Sequence, residues 1–305
     1  MDTARFDALV RQLGGSATRR GVVAGLAGLA GLTSLPLSDV AARRRHRRKR
    51  RAKRRNRGGV TSEIKHGSLD GAGHPYVGLM IAQDAAGAPL WRCSGTLISP
   101  TLFLPAGHCT EAPAAHVEIW FDADVESGIP ANGYPNTGQV GGVPHTHPQY
   151  DPDAFYLYDL GVVVLEAPMA MSTYGALPTL DVLDGMARKR GQKDLSFTAV
   201  GYGLQQSFPD AAAWKNQARR VRMVAHPKLI QINTGYTGDG SLLLSNNART
   251  GGTCFGDSGG PNFIGATNVI GGVTSFGKNS TCAGTGGVYR VDRADDLAWL
   301  ATFTG

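Results

Sequence analysis

The stretch Cys254-Phe255-Gly256-Asp257-Ser258-Gly259-Gly260-Pro261 is the most informative segment of the 305-residue chain. A serine set among glycines can sit on a tight turn with its hydroxyl exposed. The backbone N–H groups of Gly256 and Ser258 could then stabilise the oxyanion of a tetrahedral intermediate. Taken alone, the stretch also fits a glycine-rich surface turn. It therefore indicates a serine nucleophile only in combination with a base elsewhere in the chain.

His108 is the candidate base, because a serine hydroxyl is a weak nucleophile without one. It ends an apolar run that begins at Leu102 and is followed at once by Cys109. We interpret the other histidines of the globular part as structural imidazoles: His66, His74, His116, His145, His147 and His226.

Asp159 is the candidate partner that holds the tautomer of the histidine and stabilises its imidazolium. It opens the apolar segment Asp159–Leu165, and a carboxylate at the mouth of a buried strand is costly unless it is paired. Asp151 and Asp153 are nearby rivals, but their proline-rich turn predicts that they are solvated.

Together these three segments resemble the chymotrypsin/trypsin-like family of serine peptidases. Ala106–Cys109 is similar to the family's Ala-Ala-His-Cys, and Asp159–Val162 is similar to Asp-Ile-Ala-Leu. Gly256–Pro261 is identical to the family's Gly-Asp-Ser-Gly-Gly-Pro, and the order of the segments also matches. The resemblance runs from about residue 64 to the end. It implies an endopeptidase that needs no metal or cofactor, in which Ser258 attacks, His108 transfers the proton and Asp159 orients His108.

The resemblance also implies the fold: an all-β protein with two six-stranded antiparallel β-barrels and the site between them. We expect the first barrel over about residues 64–170, the second over about 171–291, and a C-terminal helix over 292–303 with Asp292 as its N-cap. The glycine- and proline-rich segment 128–144 is typical of turns and surface loops. Candidate strands are Tyr76–Ala82, Gly95–Ile98, Val117–Phe121, Leu160–Leu165, Ser196–Tyr202, Arg219–Val224, Val269–Ser275 and Gly287–Val291.

Four cysteines are present, and their number alone permits three disulfide connectivities. The chain contains no Cys-x-x-Cys pair, which disfavours the alternative of a zinc site. The resemblance implies the pairings Cys93–Cys109 and Cys254–Cys282.

The resemblance further implies which residues bind substrate. The residue six before the nucleophile, at the floor of the primary pocket, is Gly252, where trypsin-like members hold an aspartate. Because a buried cationic side chain would lack a partner there, we expect an uncharged pocket that prefers bulky apolar side chains. The expected binding residues are Gly252, Thr253, Phe255, Ser275, Phe276, Gly277 and Gly287, of which Ser275–Gly277 would pair with the substrate backbone.

Activation by cleavage is a second implication of the resemblance. Many family members free an N-terminal Ile-Val-Gly-Gly, whose ammonium group pairs with the aspartate before the nucleophile. Here that aspartate is Asp257, and Ile64–Gly67 matches the motif at its first and fourth positions. We therefore hypothesise that cleavage after Glu63 lets Ile64 pair with Asp257.

The N-terminal region differs in charge from the rest of the chain. Residues 1–57 hold 16 of the 31 Lys and Arg but 3 of the 24 Asp and Glu, so the remaining part is net acidic. Residues 1–42 have a twin-arginine-like signal-peptide layout, although a membrane anchor is the alternative and the positive charges that follow normally resist export. Export predicts a secreted protein, with retention at the cell surface as a variant.

Residues 43–57 contain 12 Lys and Arg in 15 residues, so residues 43–63 are predicted to be a disordered pro-segment or tether. The segment would contact polyanions non-specifically or remain solvated without a partner. We expect residues 64–305 to form a monomeric peptidase domain that acts on proteins or peptides and binds no specific nucleic acid. The alternative is a catalytically inactive relative that serves as a binding or surface-adhesion protein.

Overall fold

The computed structural model describes residue 64 and residues 66–187, 195–209, 212, 218–235 and 237–304. The expected signal segment 1–42, the basic segment 43–63 and the expected cleavage site after Glu63 all lie outside these described residues. Within the described part of the chain, none of the helices combines the length and the apolar character that crossing a membrane requires.

The first half of the described chain forms a closed barrel of six antiparallel strands. The barrel closes because the first of these strands pairs with both the second and the fourth in chain order. Its interior is filled by buried apolar residues such as Leu97, Phe103 and Ile119. The strands, in the order in which they pair around the barrel, are β2 (Val77–Gln83), β3 (Pro89–Leu97), β4 (Leu102–Leu104), β7 (Gly161–Leu165), β6 (Val140–Thr146) and β5 (His116–Trp120).

The second half forms a barrel-like antiparallel sheet. This confirms a mostly β fold with two barrel-like sheets, although the second sheet has eight strands in place of the expected six. Its first edge strand comes from the start of the globular part, because Ser68 and Leu69 pair with Val224 and Met223. In pairing order its strands are β1 (Ser68–Leu69), β9 (Met223–Ala225), β8 (Phe197–Gly201), β12 (Pro261–Ile264), β13 (Ile270–Gly277), β14 (Gly284–Arg290), β11 (Gly238–Asn246) and β10 (Leu229–Thr234).

Two of the strand predictions are wrong. The segment 128–144 was expected to be a loop, but its end enters β6, where Gly142 pairs with Val117 and Leu165 on the two neighbouring strands. Barrel closure supplies these partners, so tertiary pairing overrides the low strand propensity of glycine and proline. The predicted strand Arg219–Val224 is reduced to β9, which begins at Met223.

The described helices and 3-10 turns are short. The C-terminal helix α3 covers Ala294–Ala301, which is shorter than the expected 292–303. Asp292 is not its N-cap: the cap position is Arg293, whose side chain makes no capping bond. The Asp292 carboxylate instead accepts hydrogen bonds from Arg290 and from the Leu183 N–H. The other described elements are α1 (Gly107–Thr110), α2 (Asp184–Ala187) and the 3-10 turns Glu126–Gly128 and Pro152–Ala154.

The two β structures meet at the loop that follows Cys254. The Ser94 N–H on β3 of the first barrel donates to the Ser258 carbonyl oxygen over 2.8 Å. The Ser94 hydroxyl donates to the Gly256 carbonyl oxygen over 2.9 Å. These two bonds attach the glycine-rich loop of the second sheet to the wall of the first barrel.

Candidate active site

His108 and Asp159 form a buried pair on the first barrel. His108 lies on α1, directly after Gly107, and Asp159 lies two residues before β7. The His108 backbone N–H donates to the Asp159 Oδ1 over 2.9 Å, and the Nδ1 of the ring lies 3.0 Å from both carboxylate oxygens. An ionised carboxylate can only accept, so Nδ1 carries the proton in this arrangement and Nε2 is left as the basic nitrogen.

A third donor completes the environment of Asp159. The hydroxyl of Ser275, on β13 of the second sheet, donates to Asp159 Oδ2. Asp159 is fully buried, and its donors satisfy a charge that would otherwise be costly in the interior. The rivals Asp151 and Asp153 are exposed, and the Asp151 carboxylate accepts a bond from the Asp153 N–H within its own turn.

Ser258 lies on the glycine-rich loop between Cys254 and β12. Gly256 has a φ of 91°, a left-handed conformation that favours glycine. A Cβ atom at Gly259 would lie 2.5 Å from the Ser94 carbonyl oxygen and 2.6 Å from the Ala106 nitrogen, so any side chain there would separate the loop from the first barrel. The sequence of the loop therefore fixes both its turn and its contact with the opposite wall.

The donors expected to bind an oxyanion are Gly256 and Ser258. Among the described residues, neither the Gly256 N–H nor the Ser258 N–H donates a hydrogen bond. Both residues line the same cleft as His108. The hydrogen bonds of the described residues also include none between the His108 ring and the Ser258 hydroxyl, a contact that often tightens only when substrate is bound.

The Asp257 side chain supports the loop that carries Ser258. It is fully buried, and its carboxylate accepts the Gly203 N–H over 2.7 Å and the Cys254 N–H over 2.9 Å. Burial raises the pKa of Asp257 to about 6, while these two bonds and the nearby Arg92 oppose the rise. The carboxylate thus connects the beginning of the loop at Cys254 with the backbone of Gly203, which follows β8.

A cleft of about 400 Å³ opens at this point. One wall comes from the first barrel and contains His108, and the other comes from the second sheet and contains Ser258. Of the expected binding residues, Thr253, Phe255, Ser275, Phe276 and Gly277 line the cleft.

Gly252 and Gly287 do not line the cleft. A Cβ atom at Gly252 would lie 2.4 Å from the Asn246 Cγ, so the buried Asn246 amide fills the space beside it. A Cβ atom at Gly287 would lie 2.4 Å from the Phe276 ring, which covers this position in the same way. The space beside both glycines is thus filled by neighbouring side chains, which a local sequence motif does not reveal.

The cysteines form two disulfides, Cys93–Cys109 and Cys254–Cys282, the pairing that the resemblance implies. The first lies beside His108 and the second anchors the beginning of the loop that carries Ser258. Cys93, His108 and Cys109 also place three potential metal ligands close together. Both sulfur atoms of that group belong to the disulfide, so they are not available as thiolate ligands.

Ile64 is buried in a small apolar cluster with Val221, Met223 and Ala225. The Asp257 carboxylate accepts its described hydrogen bonds from Gly203 and Cys254. Pairing of the Ile64 ammonium group with Asp257 concerns the cleaved chain and stays a prediction.

Sequence reasoning missed several residues that line the cleft. Leu90, Trp91 and Arg92 on β3 line it, as does Leu204 after β8. The position of residues 90–92 in the sequence could have identified them. They directly precede Cys93, whose implied partner Cys109 is next to His108.

Comparison with known proteins agrees with this fold. The family model described as Trypsin matches residues 71–297. A trypsin of Saccharopolyspora erythraea is 30% identical over 220 residues, which cover 71% of this chain and 87% of that protein. The brachyurin of Leptuca pugilator is 29% identical over 237 residues, which cover 71% of this chain and 89% of that protein.

A solved structure described as HL collagenase has the same fold. It superposes with a TM-score of 0.58 at 21% identity and covers 80% of this chain and 97% of its own. The family match spans well over half of the chain. The protein therefore belongs to the chymotrypsin/trypsin-like family of serine peptidases.

Proposed function

We propose that the chain is a secreted serine endopeptidase in which Ser258, His108 and Asp159 are the catalytic residues. The observation that carries the proposal is the buried His108–Asp159 pair, which borders the same cleft as Ser258. Family membership supports a serine peptidase. The two disulfides are typical of proteins that function in an oxidising, extracellular compartment.

The proposed reaction has two halves, acylation and deacylation, and the same groups act in both. Ser258 Oγ attacks the scissile carbonyl while His108 Nε2 accepts its proton, and the oxyanion binds the N–H groups of Gly256 and Ser258. His108 then donates that proton to the leaving amine as the C–N bond breaks, which leaves an acyl-enzyme. Water, deprotonated by His108, releases the acyl group and restores Ser258. Asp159 accepts the Nδ1–H throughout and stabilises the imidazolium.

We propose an apolar preference at the primary pocket. Among the described residues that line the cleft, none carries a carboxylate, whereas Phe255 and Phe276 of the second sheet's wall offer apolar surface. A lysine or arginine side chain bound there would be desolvated without an anion to pair with. A kinetic panel of peptides should therefore favour Phe or Leu over Arg before the scissile bond. A preference for Arg would refute this assignment.

The proposal includes activation by cleavage after Glu63, with the Ile64 ammonium pairing with Asp257. A newly buried ammonium group would favour the ionised form of Asp257, whose pKa burial raises. N-terminal sequencing of active enzyme should find Ile64 first. Full activity with residues 1–63 still attached would contradict this part of the proposal.

Labelling with a fluorophosphonate tests the proposed nucleophile directly. The reagent should label Ser258 covalently, and the purified protein should hydrolyse a mixed peptide library. Ser258→Ala should abolish labelling and lower hydrolysis by about 10⁶-fold. Ser280→Ala, which changes a serine outside the cleft lining, is the matched control. Absence of both labelling and hydrolysis in the cleaved wild-type protein would instead favour an inactive binding or surface-adhesion protein.

A further inference from the structure

Arg92 occupies an unusual position in the cleft. It lies on β3 directly before the disulfide-bonded Cys93, and it is the one Lys or Arg among the described residues that line the cleft. Its Nε and Nη2 atoms are each 3.0 Å from the place that a Cβ atom would take at Gly256. The guanidinium group is therefore packed against the loop that carries the expected oxyanion donors.

Within the part of the chain that the structure describes, the charge of Arg92 is not paired with a carboxylate. Among the described residues, Arg219, Arg220, Arg222, Arg290 and Arg293 each form an ion pair with an acidic side chain, whereas Arg92 forms none. The Tyr134 side chain interacts with the Arg92 guanidinium group. Asp257 acts on Arg92 only through electrostatic attraction.

The Asp257 carboxylate is already occupied by the Gly203 and Cys254 N–H groups. Arginine remains protonated at neutral pH even when it is partly buried. The cleft therefore holds a permanent positive charge without a carboxylate partner.

The position of Arg92 indicates which part of a substrate it would meet. On the proposed function, Ser275–Gly277 of the second sheet pair with the substrate segment before the scissile bond. Arg92 lies on the other wall, which the first barrel contributes next to Gly256. A peptide crossing Ser258 between these walls would carry its leaving-group segment past Arg92.

We propose that Arg92 is a specificity-determining residue that binds a carboxylate in the leaving-group segment of the substrate. The substrate class is thus a peptide with an apolar residue before the scissile bond and an acidic residue shortly after it. A charge-assisted pair between guanidinium and carboxylate is stronger than a neutral hydrogen bond and can be bidentate. This inference rests on the proposed endopeptidase activity.

The test compares C-terminally amidated peptides that carry Phe before the scissile bond and a single Glu or Gln at successive positions on either side. At one position of the leaving-group segment, kcat/KM should be about tenfold higher for Glu than for Gln, as expected for a hydrogen bond to a charged group. The ratio should fall as salt is raised, since salt screens partly exposed charges. A further arm with Gln and a free C-terminal carboxylate distinguishes a side-chain acid from a chain terminus.

Variants assign the effect to Arg92. In Arg92→Gln the Glu-to-Gln ratio should approach one, and in Arg92→Lys it should be partly retained. Arg249→Gln removes the same charge from an exposed residue outside the cleft lining and should keep the wild-type ratio. Melting temperatures show whether each variant is folded. If Arg92→Gln does not fold, two other measurements test the role of Arg92. These are the Glu-to-Gln ratio of Arg92→Lys, and the dependence of the wild-type ratio on peptide position and on salt.

Two kinds of failure are distinguishable. If no peptide is hydrolysed by the protein after it has been cleaved at Glu63, the proposed peptidase function fails. If the Gln peptides are cleaved but Glu gives no advantage, or gives it only before the scissile bond, the inference about Arg92 is overturned. An unchanged ratio in Arg92→Gln overturns it as well.

Discussion

The two β structures hold their parts of the site by different means. On the first barrel, His108 and Asp159 bind each other through their side chains, and the carboxylate is fully buried. On the second sheet, Ser258 is held through the backbone of its loop. The Gly259 N–H donates to the Thr274 carbonyl oxygen over 2.7 Å, and the Thr274 N–H donates to the Gly260 carbonyl oxygen over 2.9 Å.

This difference separates two kinds of sensitivity to substitution. Changes to the first barrel's pair should alter proton transfer while leaving the backbone in place. Changes to residues that support the Ser258 loop should alter the direction of the Gly256 and Ser258 N–H groups, while leaving the His108–Asp159 pair in place. Ser275 links the second sheet to the His108–Asp159 pair, because it lies on β13 and its hydroxyl donates to Asp159.

Among the three changes that compare the two structures, Asp159→Asn should have the largest effect. The amide can still accept one bond, but it would favour the tautomer with the proton on Nε2, which cannot accept the proton of Ser258. In a chymotrypsin-like triad the same change lowers kcat by about 10⁴-fold, and we expect a loss of that size here. Steady-state hydrolysis measures the loss, and Asp153→Asn, an exposed change in the preceding turn, is the control. A loss below about tenfold, far short of the effect of a wrong tautomer, would show that the first barrel's pair does not govern the chemistry.

An intermediate effect is expected from Asp257→Ala. The Gly203 and Cys254 N–H groups would lose their acceptor, and the loop would no longer fix the Gly256 and Ser258 N–H groups. Loss of one oxyanion donor costs about 10²- to 10³-fold in kcat, and we expect a decrease of this size.

Two further measurements sharpen the result for Asp257. Asp257→Asn keeps an acceptor for one of the two N–H groups, so its activity should lie between those of the wild type and the alanine variant. Fluorophosphonate labelling of Ser258 should slow in the same order. If Asp257→Ala keeps wild-type kinetics, the backbone of the second sheet does not depend on this carboxylate.

The parts of the site that lie in short local motifs could be predicted from the sequence. His108, Asp159 and the glycine-rich loop stand out because each needs a particular residue type beside particular neighbours. Asp159 could be separated from Asp151 because it precedes a continuous apolar segment, and a buried carboxylate there needs a partner. The all-β class followed in the same way from short apolar segments separated by glycine and proline.

The remaining features depend on packing between segments that are distant in the sequence. The Asn246 amide closes the space at Gly252 because β11 runs beside the loop, and no local pattern marks this contact. Arg92 enters the cleft because β3 brings it there. Strand β6 was missed because its pairing with β5 and β7, and not its composition, makes it a strand.

The C-terminal helix provides a finer test, because α3 contacts both structures. Asp296 is fully buried on α3, and the Tyr289 hydroxyl on β14 donates to its carboxylate over 3.0 Å. His147 follows β6 of the first barrel, and its Nε2 atom lies 3.8 Å from Asp296 Oδ1. Burial raises the pKa of Asp296 to about 7 and lowers the pKa of His147. Of the three substitutions, Asp296→Asn should have the smallest effect on hydrolysis, because Asp296 does not line the cleft.

Asp296→Asn should therefore change the pH dependence of stability. Because the folded-state pKa of Asp296 lies above the ordinary value of 3.8, its stabilising contribution is complete below about pH 4 and is lost as the pH rises through about 7. Relative to the wild type, Asp296→Asn should gain a few kcal/mol of unfolding free energy between about pH 4 and pH 8, at about 1.4 kcal/mol per pKa unit. Denaturant unfolding across this range measures the difference, and Asp153→Asn, at an exposed position outside α3, is the control. A constant difference between Asp296→Asn and wild type would mean that protonation of this carboxyl group is not coupled to folding.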